Sequence, residues 1–181
     1  MAHKIKAFYP PALELVPVIL LLFAFSYTAQ YYPLLPEQVP THFGLLGTPD
    51  AWSEKGFWSV YVLPLLGAIV WLSMFLINLF LIIEPDDPGR MINLPQKQKE
   101  KLGRERLEAI RSVTARGIMI MNLTLAAMIA TLQYGSINVA LGRQESLGLT
   151  ALFFAASVLI EAIGLTVKTI SMTFTSGSQS A

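Results

Sequence analysis

Four long apolar segments constrain the fold of this chain more than any other feature of its sequence. An α-helix rises about 1.5 Å per residue and the hydrocarbon core of a bilayer is about 30 Å thick, so a helix needs about 20 apolar residues to cross it. Four segments meet that requirement, namely residues 12–32, 57–83, 114–135 and 147–172. We therefore predict an all-α polytopic membrane protein, in which a single membrane domain over residues 1–181 forms a four-helix transmembrane bundle.

The overall composition favours a membrane protein and argues against several functions. The 181 residues are 54% hydrophobic and 14% charged, which is more apolar than is typical of a soluble domain. The net charge is +1 and the basic residues cluster in one loop, so we expect no nucleic-acid partner. The chain has no cysteine, which excludes disulfides, thiolate catalysis and cysteine-ligated metals.

The distribution of Lys and Arg predicts the orientation, because cytoplasmic segments near membrane spans carry an excess of positive charge. Residues 84–116 include eight Lys or Arg, and the N-terminal tail adds two lysines. Residues 33–56 have only Lys55, and the connector between the third and fourth spans has only Arg143. We predict a multi-pass protein of the bacterial cytoplasmic (inner) membrane, with both termini cytoplasmic and residues 33–56 outside.

The segments between the spans differ in character. Residues 33–56 combine several prolines and glycines with reactive and aromatic side chains, which predicts a structured extracytoplasmic cap loop. Residues 84–113 form the predicted cytoplasmic loop, and charges at four-residue spacing indicate a helix over about residues 94–112. The Ser-rich tail over residues 175–180 is predicted to be disordered.

The cap concentrates side chains that are typical of a recognition surface. Its prolines favour extended backbone and its glycines permit tight turns, so the loop is expected to fold back across the mouth of the bundle. This brings together five candidate ligand- or partner-binding residues: His42, Phe43, Asp50, Trp52 and Lys55.

Three roles are open for His42: a structural hydrogen bond that fixes the cap, a proton-responsive contact, or a metal ligand together with Asp50, Glu54 or Glu37. One histidine with dispersed carboxylates lacks the spacing of known metal sites, so we predict no metal and no cofactor. Asp50 and Lys55 are also placed to form a simple surface ion pair. The chain contains no Gly-x-Ser-x-Gly, His-Glu-x-x-His or phosphate-loop motif, so we do not expect an enzyme.

Polar side chains inside the predicted spans form a second candidate site. Glu161 lies near the middle of the fourth span, where an ionisable side chain is costly and usually faces the bundle or a water-filled cavity. Judged by depth, Asn78 and Asn122 are its expected partners. Lys168 follows on the same helical face, where Glu14 is expected to meet it. Three roles stay open for Glu161: a polar clasp between helices, a proton or ion pathway, and a contact with another subunit.

Two runs in the cap resemble the signature of a known family. They are LPEQVPTHF over residues 35–43 and GTPDAWSEK over residues 47–55. Both are similar to the signature of the SdpI-type integral membrane family, whose N-terminal domain is catalogued as domain of unknown function 1648. Gly44 and Ala51 stand where family members often carry Asn and Gly. The resemblance implies immunity to a secreted toxic peptide, coupled to signalling by holding a transcriptional repressor at the membrane.

These observations predict a membrane recognition protein that sits in the lipid bilayer and binds a secreted peptide or a membrane-protein partner through its cap. The alternative is an accessory structural subunit of a larger membrane complex. Small residues support close helix approach in either case, because Ala126 and Ala130, and Ala151 and Ala155, lie four residues apart.

Overall fold

The computed structural model describes residues 2–174 and shows a mostly helical chain with one small sheet. The Ser-rich tail predicted to be disordered lies outside the described residues. Short 3₁₀ turns at Pro11–Glu14 and Tyr32–Leu34 flank the second helix, and a π-helix at Asn78–Ile83 continues the third. The main elements are α1 (Ala2–Ile5), α2 (Leu15–Tyr31), β1 (Gln38–Phe43), β2 (Pro49–Glu54), α3 (Phe57–Ile77), α4 (Gln96–Ala140) and α5 (Thr150–Phe174).

Within residues 2–174, four helices are long and apolar enough to span a membrane, and the chain is a multi-pass membrane protein. They cover Pro11–Leu34, Phe57–Ile83, Gln96–Ala140 and Thr150–Phe174. Many large apolar side chains on these helices are exposed, which suits contact with lipid tails because these are as apolar as leucine. Apart from the start of the third, these spans agree with the predicted segments within a few residues.

The connecting segments add two details to the predicted fold. Residues 33–56 contain a small antiparallel sheet made of β1 and β2, which the all-α prediction did not include, so the chain is mostly helical. The predicted loop helix is present, but non-helical backbone at Gly103 divides α4, and the part after Gly103 runs on into the third span. Gly103 has φ 72° and ψ 161°, values that glycine adopts readily because it lacks a Cβ.

α4 lies at the centre of the bundle and packs against α2, α3 and α5. Ala126 and Ala130 are each 3% exposed, which confirms the predicted close helix contact at these positions. Gly67 likewise allows α3 to approach α4 closely, since a Cβ there would lie 2.7 Å from Cγ2 of Ile129. α5 packs mainly against α4, and its outward side, which includes Ala155, is exposed.

A proline inside α3 explains a polar contact that joins three helices. Pro64 has no amide hydrogen, so the carbonyl of Val60 lacks its usual helical donor. Gln133 of α4 replaces that donor: its Nε2 donates to the Val60 carbonyl at 3.1 Å and to Oγ1 of Thr28 on α2 at 2.8 Å. The side chain of Gln133 therefore ties α2, α3 and α4 together at one depth.

The π-helix at Asn78–Ile83 is held by side chains from other elements. Asn78 is 2% exposed, and its Nδ2 donates to the hydroxyl of Tyr9 and to a backbone carbonyl of α4, both at 3.0 Å. Arg111 of α4 donates from Nη2 to the carbonyl of Ile83 at 2.6 Å. A π-helix is rare and its wider turn frees backbone groups that need new partners. Arg111 provides such a partner for the Ile83 carbonyl, whereas the Asn78 side chain anchors the π-helix to Tyr9 and α4.

The two ends of the bundle carry different structures. We call the end with β1, β2 and residues 141–149 the hairpin face, and the end with α1 and residues 84–95 the loop face. At the loop face, Nζ of Lys4 donates to Oε2 of Glu84 at 2.7 Å. This hydrogen bond raises the pKa of the Lys4 ammonium and lowers the pKa of the Glu84 carboxyl.

Candidate functional site

β1 and β2 form a hairpin that lies across the end of the bundle. The strand pairing is irregular between Pro40 and His42, so Thr41 has no opposite residue on β2. Val39 and Pro40 are buried, whereas the residues of β2 are exposed or partly exposed. β1 therefore packs on the helices, and β2 is the outer strand.

The tip of the hairpin is fastened to the connector between α4 and α5. The carbonyl of Gly47 accepts a hydrogen bond from the amide of Leu147 at 2.8 Å. Gly47 has φ +77°, in the left-handed region, and a Cβ there would lie 2.6 Å from the backbone nitrogen of Gly148. Both the backbone conformation and the close approach therefore require glycine at this position.

Lys55 closes the base of the hairpin. Its amide donates to the carbonyl of Glu37 at 2.7 Å, and its Nζ donates to the carbonyl of Leu35 at 2.8 Å. The ammonium also lies 5.7 Å from the ring centroid of Tyr32. The sequence placed Lys55 on the binding surface or in a pair with Asp50. These contacts give it a structural role, and among the described residues Asp50 pairs with His42 instead.

Three of the predicted binding residues remain accessible on the hairpin. Nδ1 of His42 lies 2.5 Å from Oδ1 of Asp50, and the two side chains are 69% and 52% exposed. Trp52 is 48% exposed and Phe43 is half-buried. Of the roles open for His42, the hydrogen bond is the one that this geometry provides. Within residues 2–174 no group of three His, Asp or Glu side chains is placed to hold a metal ion.

A cavity of about 360 Å³ lies beneath β1, between α3, α4 and the start of α5. Its walls are mostly apolar, and Val39, Ile137 and Leu147 close it toward the hairpin and the connector. Val62 and Leu66 of α3 also line it, and each is 53% exposed. The cavity is therefore open on the lipid-facing side of the bundle.

Two polar side chains of α4 line the cavity without being fully bonded. Gln133 is 3% exposed and donates from Nε2 to Thr28 and Val60, while its carbonyl oxygen accepts no hydrogen bond from residues 2–174. Within the same range, the hydroxyl of Ser136 also makes no hydrogen bond. On the α4 wall, the cavity thus offers one acceptor and one hydroxyl to a bound molecule.

The basic side chains of the hairpin face do not line the cavity. Arg143 stacks with its Cζ 4.6 Å from the ring centroid of Tyr31, and its Nη1 lies 3.5 Å from Oδ1 of Asn138. Lys55 is held at the base of the hairpin, as described above. His42 is the one ionisable side chain in the cavity lining, and its Nδ1 is bonded to Asp50.

The polar residues predicted to meet inside the membrane have other partners. Oε1 of Glu161 accepts from the hydroxyl of Thr124 at 2.7 Å, not from Asn78 or Asn122. Asn122 donates to a backbone carbonyl of α3 at 3.3 Å. Glu14 accepts from the hydroxyl of Tyr9 at 2.7 Å instead of pairing with Lys168, which is exposed on α5. The predicted clasp centred on Glu161 is therefore wrong in its partners.

The sequence reasoning missed Tyr9, Thr124, Gln133 and Ser136. A signal existed for Gln133, because Pro64 predicts an unbonded carbonyl and a glutamine within an adjacent span is a natural donor for it. No comparable signal marked Thr124 or Ser136. Threonine and serine commonly bond to their own helix, and here nothing in the sequence distinguished these two from the others.

The fold and this site define a multi-pass membrane protein with a β-hairpin fastened over an apolar cavity. The profile of a family described as domain of unknown function DUF1648 matches residues 19–68. The match covers most of α2, the hairpin and the first part of α3, which is just over a quarter of the chain. No curated protein matches the chain, and no solved structure does.

Proposed function

We propose that the protein is a recognition protein of the bacterial cytoplasmic membrane that binds a secreted peptide or a membrane partner at its hairpin face. The observation that carries this proposal is a hairpin fastened at both tip and base that nevertheless exposes His42, Asp50 and Trp52. A preorganised surface loses little conformational entropy on binding, and exposed aromatic side chains are enriched in interfaces.

The charge distribution supports an orientation with the hairpin face outside. The loop face is adjoined by residues 84–116 with their eight Lys or Arg, whereas the hairpin face carries Lys55 and Arg143. Positive charge is retained on the cytoplasmic side, which supports the proposal that both termini are cytoplasmic. A secreted ligand would then meet the hairpin first.

The resemblance to SdpI-type proteins supports a more specific version of this proposal. The residues that carry the resemblance lie within the region matched by the DUF1648 profile. In this version the hairpin face confers immunity to a secreted toxic peptide, and the basic loop face relays the bound state to a cytoplasmic protein.

The direct test measures protection of cells against a panel of secreted, membrane-active peptides. Cells that express the wild-type protein should survive higher concentrations of at least one peptide. Asp50→Ala and Trp52→Ala should each abolish that protection, because they remove exposed side chains without touching the fastening contacts. The amount of inserted protein and its thermal unfolding in detergent should stay unchanged.

Trp58→Ala is the matched control for Trp52→Ala. Trp58 is 72% exposed at the start of α3 but does not belong to the hairpin, so its removal should leave protection intact. Equal protection by wild type, Asp50→Ala and Trp52→Ala would contradict the proposal.

A second candidate function is an accessory subunit of a larger membrane complex, and the exposure of α5 favours it. α5 packs mainly against α4 and leaves Ala155, Ala156 and Gly164 exposed, so another helix has room to approach. Ala155→Trp should release a partner that co-purifies in mild detergent at constant stoichiometry. The equivalent change Ala126→Trp is uninformative, because Ala126 is buried in the bundle.

A further inference from the structure

We propose that the cavity beneath β1 binds a lipid-like amphiphile with a single apolar chain and an uncharged hydrogen-bonding group, such as a hydroxyl, an ester or an amide. This rests on the proposed function, because it names a ligand class for the same hairpin face. Its basis is a cavity with mostly apolar walls, a lateral opening and two unbonded polar groups.

The openings of the cavity indicate a ligand that arrives from the bilayer. Toward the hairpin face, the hydrogen bond between Gly47 and Leu147 fixes the hairpin tip on the connector. On the side of α3, Val62 and Leu66 line the cavity and are also exposed where lipid contacts the span. A chain lying alongside the protein therefore enters between α3 and α5 without leaving the hydrocarbon.

The depth of the cavity matches one leaflet. The lining of α3 extends from Ser59 to Leu66, and Leu66 lies ten residues beyond Gly56, which precedes the helix. At about 1.5 Å per residue this places the floor about 15 Å below the hairpin face. Half of a hydrocarbon core about 30 Å thick is the same length. A chain from the hairpin-face leaflet thus spans the cavity.

The unbonded polar groups specify the other end of the ligand. An unpaired carbonyl in a hydrocarbon environment is costly, and the carbonyl oxygen of Gln133 is in that position. A ligand hydroxyl or amide hydrogen would donate to it, while the hydroxyl of Ser136 bonds a second oxygen of the ligand. A hydrocarbon without polar atoms would leave both groups unpaired.

Charge and size distinguish this ligand from a phosphate-bearing lipid head or a peptide helix inside the cavity. Lys55 and Arg143 are engaged elsewhere, and among residues 2–174 His42 is the only basic side chain in the cavity lining. A helix is about 10 Å wide with its side chains, and one of 15 Å length would need well over the 360 Å³ that the cavity offers. An extended peptide would bring more backbone groups than Gln133 and Ser136 can satisfy.

The test uses a monoacylglycerol with a diazirine in its acyl chain, added to vesicles of phosphatidylethanolamine and phosphatidylglycerol that contain the full chain. After irradiation, the labelled residues are mapped by mass spectrometry. Labelling should concentrate on the cavity walls, at Leu132, Ser136 and Ala140. Ser136→Ala removes a hydroxyl with no protein partner and should lower labelling by about twofold to tenfold, as expected for one lost hydrogen bond.

A pair of matched substitutions on α5 decides whether the cavity itself is the site. Ala151→Phe places a ring in the cavity and should abolish the concentrated labelling. Ala156→Phe makes the same change at an exposed position outside the cavity and should leave the concentrated labelling intact. Uniform labelling of all lipid-facing positions, or the same labelling in Ala151→Phe as in wild type, would overturn the proposal. It would also be overturned if a diazirine-bearing apolar peptide labelled these residues and the monoacylglycerol did not.

The failure of this inference is distinguishable from the failure of the recognition function. Trp52 lies outside the cavity lining, so Trp52→Ala should abolish peptide protection while leaving monoacylglycerol labelling unchanged. Intact labelling without any protection by the wild-type protein would reject the recognition function alone. Protection without concentrated labelling would reject the lipid-like ligand alone.

Discussion

The two faces of the bundle are closed by different kinds of contact. At the hairpin face, backbone hydrogen bonds at Gly47 and Lys55 and the buried side chain of Val39 hold β1 in place. At the loop face, charged side chains hold the segments together: Lys4 contacts Glu84, and Arg111 donates to a backbone carbonyl at the end of the π-helix. Backbone hydrogen bonds are prominent at the hairpin face, and bonds from charged side chains are prominent at the loop face.

This difference predicts how each face responds to conditions. Exposed ion pairs weaken as salt rises and as their members titrate, whereas a buried or backbone hydrogen bond changes little. We therefore expect the hairpin to stay ordered across a range of pH and ionic strength that loosens the loop face.

The largest effect is expected at the hairpin tip, where Gly47→Ala should lower the free energy of unfolding by about 3 kcal/mol. The added Cβ strains a left-handed residue and also collides with the backbone of Gly148. Gly142→Ala is the matched control, because Gly142 has φ +66° with nothing within 4 Å of a Cβ. Gly142→Ala should lower the free energy of unfolding by about 1 kcal/mol. Reversible unfolding in mixed detergent micelles measures the stability of both variants. Equal losses of unfolding free energy would mean that docking of the hairpin tip contributes nothing to stability.

Below the hairpin, Gln133→Leu should lower the free energy of unfolding by about 1–3 kcal/mol, because it leaves the carbonyl of Val60 unpaired next to Pro64. The same unfolding measurement applies. Ser136→Ala one turn away removes no hydrogen bond within the described part of the chain and should stay within about 0.5 kcal/mol of wild type. Matching stabilities for the two variants would show that the carbonyl of Val60 needs no side-chain donor.

At the loop face, Arg111→Leu should cost about 1 kcal/mol, because headgroup water can replace part of the lost bond to Ile83. The loss should appear as faster amide hydrogen exchange in Asn78–Ile83, with exchange at the hairpin unchanged. Arg104→Leu removes an exposed charge on the same helix and serves as the control. Faster exchange in the hairpin as well would show that the two faces are not independent.

The smallest effect concerns the exposed pair of Lys4 and Glu84. The pKa of Glu84 is lowered from its ordinary 4.5, so its contribution is present above pH 4.5 and is lost as pH falls below that value. The pKa of Lys4 is raised from 10.5, so its contribution is present below pH 10.5 and is lost above it. The protection of α1 amides, corrected for the intrinsic pH dependence of exchange, should therefore fall at both extremes and at high salt. Lys4→Ala should remove this dependence and Lys6→Ala should not.

The spans could be predicted from the sequence because a long apolar run has few alternatives in a bilayer. The hairpin could not, since β1 contains Pro40, β2 begins with Pro49, and neither strand alternates apolar and polar residues. Part of the candidate site could nevertheless be predicted from the sequence. Turn-forming residues between His42 and Asp50 indicated that these side chains meet, and the structure brings them together.

The intramembrane contacts were missed because depth alone does not determine which side chains meet. Asn122 and Thr124 lie at similar depth but about 200° apart around α4. Thr124 faces α5 and meets Glu161, whereas Asn122 faces α3. The cavity could not be predicted from the sequence either, because it depends on how α5 packs relative to α3 and not on any local motif.

The bond between Gly47 and Leu147 has a consequence for how the protein is made. The two residues are 100 positions apart, so a growing chain exposes the hairpin long before its docking partner has been synthesised. Until α4 has inserted and the connector has emerged, the tip of the hairpin has nothing to hold it. Docking of the hairpin must therefore wait for synthesis of the connector, and the hairpin face is completed only after α4 has been made.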